Sequence, residues 1–432
     1  MVAATKAHSI CQIILLILII NLNSLEYKNN KLIFDNVDLN ESCKNYQTPF
    51  YIYSENLIKK NINEYISSSN ENTLFCYSVK ANSNLSILKI IASEGMGFDV
   101  VSKGELYRAI KAGADPKKIV YSGVGKTQDE IKYALANNIL CFNIESQSEL
   151  EAVNYQASLM NCIAQISIRV NPNVSVKTHP YISTGMKENK FGISYNDALN
   201  VYKKASKLTN INIIGIDFHI GSQITSIEPY IDSIKSIKKL INDLNKENIN
   251  ISHIDVGGGL GINYEKDSVV KKSDYTKTLS DSLADIDAKI IFEPGRSIIG
   301  DCGLLVTKIE YIKETSSKNF MIVDASMSEL IRPPLYNAYH KITPIIKSEK
   351  ACKLYDVVGP VCESADFIGK DRSLNSIESE FLVVEDVGAY GFVLSSNYNT
   401  RPRPAEYIIT DGKIKEIRSR DTLDQIISNE DL

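Results

Sequence analysis

Short apolar segments alternate with helix-forming segments from residue 74 to residue 292, and this rhythm restricts the fold more than any other feature. We predict eight strands, with the bounds 74–79, 97–101, 119–122, 140–144, 163–170, 213–218, 251–256 and 289–292. Eight strand–helix units in about 220 residues favour a closed parallel barrel of the TIM-like (β/α)8 type. An open doubly wound sheet is the alternative, but no G-x-G-x-x-G motif follows the first strand.

The segments between these strands have the marks of helices. Ser102, Thr127 and Ser146 each follow a predicted strand, and each has a glutamate three residues later. This S/T-x-x-E spacing is the capping box that starts a helix. Apolar residues also recur at steps of three and four from residue 227 to residue 244, which predicts an amphipathic helix there.

The pattern changes after residue 299. Short strand-like runs, separated by Gly, Pro, Asn and Ser, continue to about residue 417 without strong helices between most of them. We therefore predict a C-terminal all-β domain, mainly antiparallel. In this division residues 46–299 form the barrel, residues 25–45 and 300–432 form a β-rich domain that completes the site, and residues 1–24 are an extension.

Residues 13–20 of that extension are wholly apolar (IILLILII). The run is short for a transmembrane helix, and no small-residue cleavage site of a secretory signal follows it. We expect a dispensable extension or a start codon placed too far upstream, with a membrane or targeting segment as the alternative.

Composition gives no support to several classes of function. The formal net charge is −4, from 48 basic and 52 acidic residues, which does not indicate nucleic acid or an acidic membrane as a partner. The eight cysteines lack any CxxC pair and the five histidines are scattered, so neither a metal site nor a disulfide framework is indicated. We expect a cytoplasmic protein with reduced thiols.

The chemically informative residues follow the predicted strands, and barrel enzymes place their active sites at the carboxyl ends of the strands. Lys80 ends the first apolar run. A desolvated lysine loses its charge easily and can form a Schiff base with a carbonyl cofactor. Taken alone, Lys80 would be assigned to the surface just past a strand.

Glycines at 257–259 follow the seventh strand, and Glu293-Pro294-Gly295-Arg296 follows the eighth. Backbone N–H groups of a glycine loop can approach a phosphate closely, and these two loops are the usual phosphate site of such barrels. Ser222 and Arg296 add donors for the phosphate or for a substrate carboxylate. A tight turn is the alternative for the glycines alone.

Glu293 and His219 suit an aromatic cofactor. A carboxylate beside a pyridine nitrogen keeps that nitrogen protonated and strengthens the ring as an electron sink, and an imidazole can lie flat on the ring. For an isolated histidine, a core position is the plainer interpretation. The long loop 171–192, with His179, Lys187 and Lys190, predicts a lid over an anionic substrate or else a solvated loop.

Three residues of the second domain are also candidate site residues. Cys362 lies in a polar, Gly-flanked segment and is either a buried thiol or a proton donor. Arg332 and Tyr336 lie in a segment too irregular for a plain strand.

Together these motifs resemble the fold-type III pyridoxal-phosphate decarboxylases, which have an alanine racemase-like fold, and within them the branch that acts on meso-2,6-diaminopimelate. The likeness extends from about residue 27 to residue 407. It depends on the segments 77–82 (YSVKAN), 169–172 (RVNP), 178–185 (THPYISTG), 190–192 (KFG), 219–223 (HIGSQ), 257–259 (GGG), 293–296 (EPGR), 362–363 (CE) and 388–390 (GAY).

The resemblance implies decarboxylation of meso-2,6-diaminopimelate to L-lysine and CO2, with pyridoxal 5'-phosphate as cofactor. It implies that Lys80 carries the cofactor as a Schiff base and that Cys362 donates a proton. The implied cofactor-binding residues are Lys80, His219, Ser222, Gly258, Gly259, Glu293, Pro294, Gly295, Arg296 and Tyr390. The implied substrate-binding residues are Arg296, Arg332, Tyr336, Glu363 and Tyr390. A homodimer is also implied, with Cys362 and Glu363 reaching into the partner's site.

One position departs from the family pattern. Asp217 stands where many relatives have a second histidine, and we expect the change to be tolerated because Asp217 need not touch the cofactor ring. The alternatives are a decarboxylase of ornithine, arginine or carboxynorspermidine, a racemase of related fold, and a non-catalytic cofactor-binding protein. The pair Cys362-Glu363 argues against ornithine, where relatives resemble Cys-Asp, and Arg332 favours a substrate with a distal carboxylate.

Overall fold

A small sheet precedes the barrel. The computed structural model describes residues 25–172, 174, 190–265 and 268–431. Three antiparallel strands and a helix come first: β1 (Leu25–Lys28), β2 (Lys31–Phe34), β3 (Val37–Asp38) and α1 (Leu39–Asn45). The Leu32 N–H donates to the Ile345 carbonyl at 2.9 Å, which attaches this sheet to the C-terminal part of the chain.

The next strand, β4 (Phe50–Ser54), belongs to the second sheet rather than to the barrel. The sequence-based division places it with the barrel, but it pairs antiparallel with residues 303–306 and parallel with residues 405–409. All five of its residues are buried, as expected for a central strand covered on both faces. The run Phe50–Tyr53 is apolar or aromatic throughout, so it carries no periodicity that tells which sheet it joins.

The eight predicted strands are present and close into a parallel barrel. They are β5 (Thr73–Ser78), β6 (Gly97–Val100), β7 (Ile119–Tyr121), β8 (Cys141–Ile144), β9 (Ala164–Asn171), β11 (Ile211–Asp217), β12 (His253–Asp255) and β13 (Lys289–Phe292). The short β10 (Ile193–Ser194) adds beside β9. Pairing of β8 with β9 closes the ring, so the predicted barrel is confirmed and the open sheet is excluded.

Helices alternate with the strands of the barrel, and the first of them precedes β5. They are α2 (Glu55–Ile66), α3 (Leu85–Ser93), α4 (Lys103–Lys111), α5 (Gln128–Ala136), α6 (Gln147–Leu159), α7 (Tyr195–Ala205), α8 (Glu228–Lys246) and α9 (Lys272–Ser282). Ser102, Thr127 and Ser146 cap their helices, each accepting from the N–H three residues later, but the full reciprocal capping box forms only at Thr127. The predicted amphipathic helix is α8, which buries its apolar face.

The C-terminal part is a mixed sheet that follows a short helix, α10 (Arg296–Ile299). Its further elements are β14 (Gly303–Glu314), β15 (Asn319–Val323), α11 (Arg332–Tyr336), β16 (Ile342–Pro344), β17 (Lys353–Val358), β18 (Phe367–Leu374), β19 (Phe381–Val384), β20 (Ala405–Thr410), β21 (Lys413–Arg418) and α12 (Leu423–Ile427). The strand order is β18-β17-β15-β14-β4-β20-β21, with β19 between β14 and β16. Two pairs, β15–β17 and β4–β20, are parallel, while the other pairs are antiparallel as expected.

The apolar extension at residues 1–24 lies outside the described residues. Among the helices of the described ranges, none combines the length and the apolar character needed to cross a bilayer.

Candidate active site

A cavity of about 170 Å³ opens at the carboxyl ends of the barrel strands, against the second domain. Its lining residues come from both parts of the chain: Ser78, Lys80, His219, Ser222, Gly259, Glu293, Gly295, Arg296, Arg332, Tyr336 and Tyr390. Ten of these eleven were predicted as site residues from the sequence, and Ser78 was not. The barrel and the second domain therefore share one site.

Lys80 follows β5 in a short turn and points its amine at Asp99 of β6. The distance from Lys80 Nζ to Asp99 Oδ2 is 2.7 Å, and the Ser78 hydroxyl donates to the same oxygen at 2.9 Å. Burial lowers the pKa of Lys80, but the charges of Asp99 and Glu293 and the hydrogen bond to Asp99 together outweigh it and raise that pKa well above its usual value. Asp99 was missed in the sequence, although an acid inside an apolar strand is a signal that could have found it.

The buried carboxyl groups of Asp217, Asp255 and Glu293 lie at the ends of the adjacent strands β11, β12 and β13, and that of Asp99 lies on β6, beyond β5; we call these four the acid floor. Carboxylate oxygens of Asp217, Asp255 and Glu293 all lie within 4.8 Å of one another. Burial and the adjacent carboxylates raise the pKa of Glu293 well above its usual value, and burial raises the pKa of Asp255 to about 7. Such a set can hold a shared proton or a cation.

Asp217, the position that departs from the family pattern, is paired with Arg169. The Arg169 Nε lies 3.8 Å from Asp217 Oδ2, and its Nη1 lies 2.7 Å from Glu145 Oε1. The guanidinium also faces the Phe191 ring at 5.1 Å. Burial nevertheless leaves the pKa of Asp217 raised, so Arg169 compensates the floor only in part.

His219 stays neutral beside the acid floor. Burial, Arg169 and Lys80 lower its pKa to about 3. Its Nδ1 accepts the Gly258 N–H at 3.2 Å, which assigns the ring proton to Nε2. A side chain at Gly257 would meet the Phe218 carbonyl at 2.6 Å, and one at Gly258 would meet the Glu293 carbonyl at 2.1 Å, so both positions need glycine.

The opposite end of the cavity is cationic. Arg296, which begins α10, donates to Tyr264 OH at 2.7 Å and to Ser222 Oγ at 3.1 Å. Its buried Nε has no hydrogen-bond partner among the described residues. A buried donor without a partner is costly, so this end suits an anionic ligand.

The second domain contributes a further arginine. Arg332, at the start of α11, is 6% exposed, and its guanidinium faces the rings of Tyr264 at 5.3 Å and Tyr336 at 5.9 Å. We call Arg296 and Arg332 the arginine wall. The Tyr390 N–H donates to the Ala81 carbonyl at 2.8 Å, which fixes the Tyr390 segment against the lysine turn.

Two predicted residues lie away from this cavity. Cys362 and Glu363 are exposed, with the Cys362 N–H donating to Asn399 Oδ1 at 3.3 Å and Tyr398 OH donating to Glu363 Oε1 at 2.6 Å. Within the described part of one chain, neither residue is brought to the cavity.

The remaining predicted positions either lie beside the cavity or belong to the proposed lid, part of which lies outside the described residues. The Gly258 N–H contacts His219, and the Pro294 carbonyl accepts the Ser78 N–H at 3.1 Å. Of the proposed lid, Lys190 is exposed with its amine over the Phe191 ring, while His179 and Lys187 lie outside the described residues.

Comparison with known proteins agrees with this geometry. Residues 55–300 match the family of the pyridoxal-dependent decarboxylases, at its pyridoxal-binding domain. The chain belongs to this family.

Within the pyridoxal-dependent decarboxylases, this chain falls in the diaminopimelate decarboxylase branch. It is 48% identical to the diaminopimelate decarboxylase of Vibrio cholerae, over 91% of this chain and 94% of that protein. The structure of the Helicobacter pylori diaminopimelate decarboxylase complexed with L-lysine matches with a TM-score of 0.88 and 43% identity, covering 91% of this chain and 99% of that one. The M. jannaschii enzyme in co-complex with L-lysine matches with a TM-score of 0.91 and 36% identity, covering 95% and 98%.

The residues present fit the cofactor of a pyridoxal-dependent decarboxylase. The acid floor has four carboxyl groups, and the cations beside it are Lys80 and Arg169. Its excess acid suits a basic ring nitrogen, while the glycines at 257–259 and Gly295 leave room for a phosphate, and the partnerless Nε of Arg296 suits a further anionic group.

Proposed function

We propose that this protein decarboxylates meso-2,6-diaminopimelate to L-lysine and CO2, the last step of lysine biosynthesis, with pyridoxal 5'-phosphate as cofactor. The observation that carries the proposal is one cavity that contains both a strand-end lysine over an acid floor and an arginine wall. The first suits the cofactor. The second suits a carboxylate at the far end of the substrate.

Lys80 would hold the cofactor covalently through its amine. His219 would face the ring, and Glu293 would hold the ring nitrogen. The phosphate would be bound by the group Ser222, Gly258, Gly259, Pro294, Gly295 and Arg296, with Tyr390 touching both cofactor and substrate.

The cofactor, when bound, supplies an electron-withdrawing ring that takes up the electron pair left by the departing carboxylate. The chain's own task is to orient and to control protons. Asp99 holds the Lys80 amine at 2.7 Å, so that this amine is placed and its proton has an acceptor nearby. Glu293, buried among other acids, keeps a proton that it can share with a basic nitrogen. The apolar barrel core beneath the floor keeps bulk water from that side.

Substrate selection belongs to the second domain and to α10. Arg296 and Arg332 would bind the distal carboxylate, with Tyr336 and Tyr390 beside it. Glu363 would bind the distal amino group, and it would do so from the partner subunit.

We propose a homodimer with shared active sites. In one chain Cys362 and Glu363 are exposed and lie outside the cavity, which supports their use by a second copy. There Cys362 would supply the proton to the α-carbon. Because the Cys362 thiol is exposed, it can contact a neighbouring subunit without a rearrangement of its own domain.

A mixed dimer tests this arrangement. Lys80→Ala and Cys362→Ala chains, each inactive alone, are co-expressed with different tags and the hybrid is purified. One intact site per hybrid dimer is expected, so about half of the wild-type activity should return. An inactive hybrid, with both chains folded, would place Cys362 in its own chain's site or outside catalysis.

The reaction itself is tested on the full chain with pyridoxal 5'-phosphate. Visible absorbance reports cofactor binding, and CO2 and lysine are measured after addition of meso-2,6-diaminopimelate. Equal amounts of both products are expected. Turnover of ornithine, arginine or carboxynorspermidine instead would retain the fold and cofactor and replace the substrate.

We also propose a cytoplasmic location. Within the described ranges seven cysteines are free thiols, two of them (Cys76 and Cys141) buried in barrel strands, and this supports a reducing compartment.

A further inference from the structure

We propose that His340 and Tyr264 are positioning residues that hold the arginine wall ready for a carboxylate, and that they thereby make the site select ligands with a distal carboxylate. The inference deepens the proposed function and rests on it. Neither residue lines the cavity, and neither was a candidate from the sequence. Both act through the guanidinium groups of Arg332 and Arg296.

His340 is wholly buried and contacts Arg332 directly. Its Nε2 accepts the Arg332 Nε–H at 3.2 Å, and its Nδ1 lies 2.9 Å from the Glu385 carbonyl. A carbonyl only accepts, so Nδ1 carries the ring proton and Nε2 presents a lone pair to the guanidinium. Burial and the charge of Arg332 lower the pKa of His340 to about 3, which keeps this neutral acceptor in place at all ordinary pH values.

Tyr264 joins the two arginines. Its hydroxyl accepts from Arg296 Nη1 at 2.7 Å, while its ring lies 5.3 Å from the Arg332 guanidinium carbon. The same ring packs edge-on against His340, with 5.2 Å between ring centroids. One side chain therefore sets the position of Arg296 through its hydroxyl and of Arg332 through its face.

The arginine wall is held by neutral groups. Within the described ranges neither Arg296 nor Arg332 has a carboxylate oxygen within 4.0 Å, and the side chains that act on both are Tyr264, Tyr336 and Tyr390. Burial lowers the pKa of Arg332, and the charge of Arg296 lowers it further. Two buried like charges side by side cost free energy that a carboxylate between them recovers.

Selection of a ligand carboxylate requires that the partners of Arg296 and Arg332 be neutral. An acidic partner would already neutralise each guanidinium, so a ligand carboxylate would gain little. Histidine and tyrosine fix the direction of the donors and leave the positive charge for the ligand. A ligand that lacks the carboxylate leaves this charge buried and unpaired, which disfavours it.

The test compares two ligands that differ only in that carboxylate. L-lysine and 1,5-diaminopentane are titrated into the cofactor-loaded full-length protein by calorimetry. The wild type should bind lysine more tightly. His340→Asn retains a donor for the Glu385 carbonyl but has no acceptor near Arg332, so its lysine Kd should rise roughly tenfold while the diaminopentane Kd stays the same.

Further variants separate positioning from a general structural role. His340→Gln carries an acceptor that reaches toward Arg332 and should recover most of the lysine affinity. Tyr264→Phe removes only a hydroxyl and should weaken lysine roughly threefold. Its matched control is Tyr339→Phe, since the Tyr339 ring packs on Arg372 at 4.0 Å outside the cavity lining, and neither affinity should change.

Two results overturn the inference. The first is an unchanged affinity for lysine in either His340→Asn or Tyr264→Phe. The second is an equal loss of affinity for lysine and diaminopentane in His340→Asn that His340→Gln does not recover. If His340→Asn fails to retain the cofactor absorbance, Tyr264→Phe decides alone. The proposed function has a separate criterion. It is refuted if the wild type releases no CO2 from meso-2,6-diaminopimelate, whatever its affinities for lysine and diaminopentane.

Discussion

The acid floor and the arginine wall are two sides of one cavity, yet they are built in opposite ways. The floor consists of carboxyl groups at the ends of barrel strands, and it has Lys80 and Arg169 as cations beside it. The wall consists of Arg296 and Arg332, which face tyrosines and a neutral histidine. The floor is thus partly compensated within the chain, while the wall is not.

This difference indicates which part of the ligand each side meets. A compensated cluster can tune protons without a ligand, as a site for proton control requires. An uncompensated pair of guanidiniums needs an anion from outside. Changes in the floor should therefore act on the rate of reaction, and changes in the wall should act on ligand affinity.

The largest effect is expected at the lysine above the floor. Lys80→Ala removes the amine that would hold the cofactor, so kcat should fall roughly 10³-fold or more and the visible absorption of the bound cofactor should disappear. Activity and absorbance spectra of the purified protein measure this. Lys103→Ala, an exposed lysine paired with Asp129, is the control. Wild-type colour retained in Lys80→Ala would remove Lys80 from the cofactor site.

The second largest effect is expected at Glu293, a carboxyl group of the acid floor. Glu293→Gln keeps the shape but not the acid, so kcat should fall by roughly 10² while KM changes little. Steady-state kinetics separate the two constants. Glu310→Gln, on β14 and paired with Lys308 at 3.2 Å, should behave as wild type. A change confined to KM would contradict the assignment of the floor to the reaction step.

The wall should show the reverse behaviour. Arg332→Lys keeps the charge but loses the planar fork, so KM for diaminopimelate should rise roughly tenfold or more with kcat largely retained. The control is Arg108→Lys, whose guanidinium donates to the Ser83 carbonyl at the surface. An unchanged KM would show that the wall does not bind substrate.

The smallest effect is the dependence of stability on pH. Burial raises the pKa of Asp255 from 3.8 to about 7, so the folded protein binds more protons than the unfolded chain within that interval. The free energy of unfolding therefore falls as pH rises from about 4 to about 7, by at most about 1.4 kcal/mol per pH unit for one proton. Asp255→Asn should flatten this slope.

Denaturant titrations of the cofactor-free protein at several pH values measure the slope. The exposed Asp411, in the turn between β20 and β21, supplies the control variant Asp411→Asn. An identical slope in Asp255→Asn and wild type would show that the floor's proton does not reside on Asp255.

Much of the site was predictable because each residue has a local signal. Lys80, Glu293 and Arg296 directly follow apolar strands, and a barrel collects strand ends at one edge. Asp99, Tyr264 and His340 were missed because their roles depend on a side chain that only the fold brings into contact; even His340 and Arg332, eight residues apart, are separated by an irregular segment. Tyr264 and Arg296 are 32 residues apart, and no periodic pattern relates them.

The sequence by itself determined the barrel, the existence of a β-rich second domain and the family motifs, because strand periodicity and strand-end residues are local properties. Tertiary structure alone decided that β4 crosses to the second sheet, that Asp217 pairs with Arg169, and that neutral groups hold the arginine wall. Those facts depend on which segments meet in space. Burial then sets the charges, because the pKa of a carboxyl or guanidinium group depends on its desolvation and on the partners that the fold brings within a few ångströms.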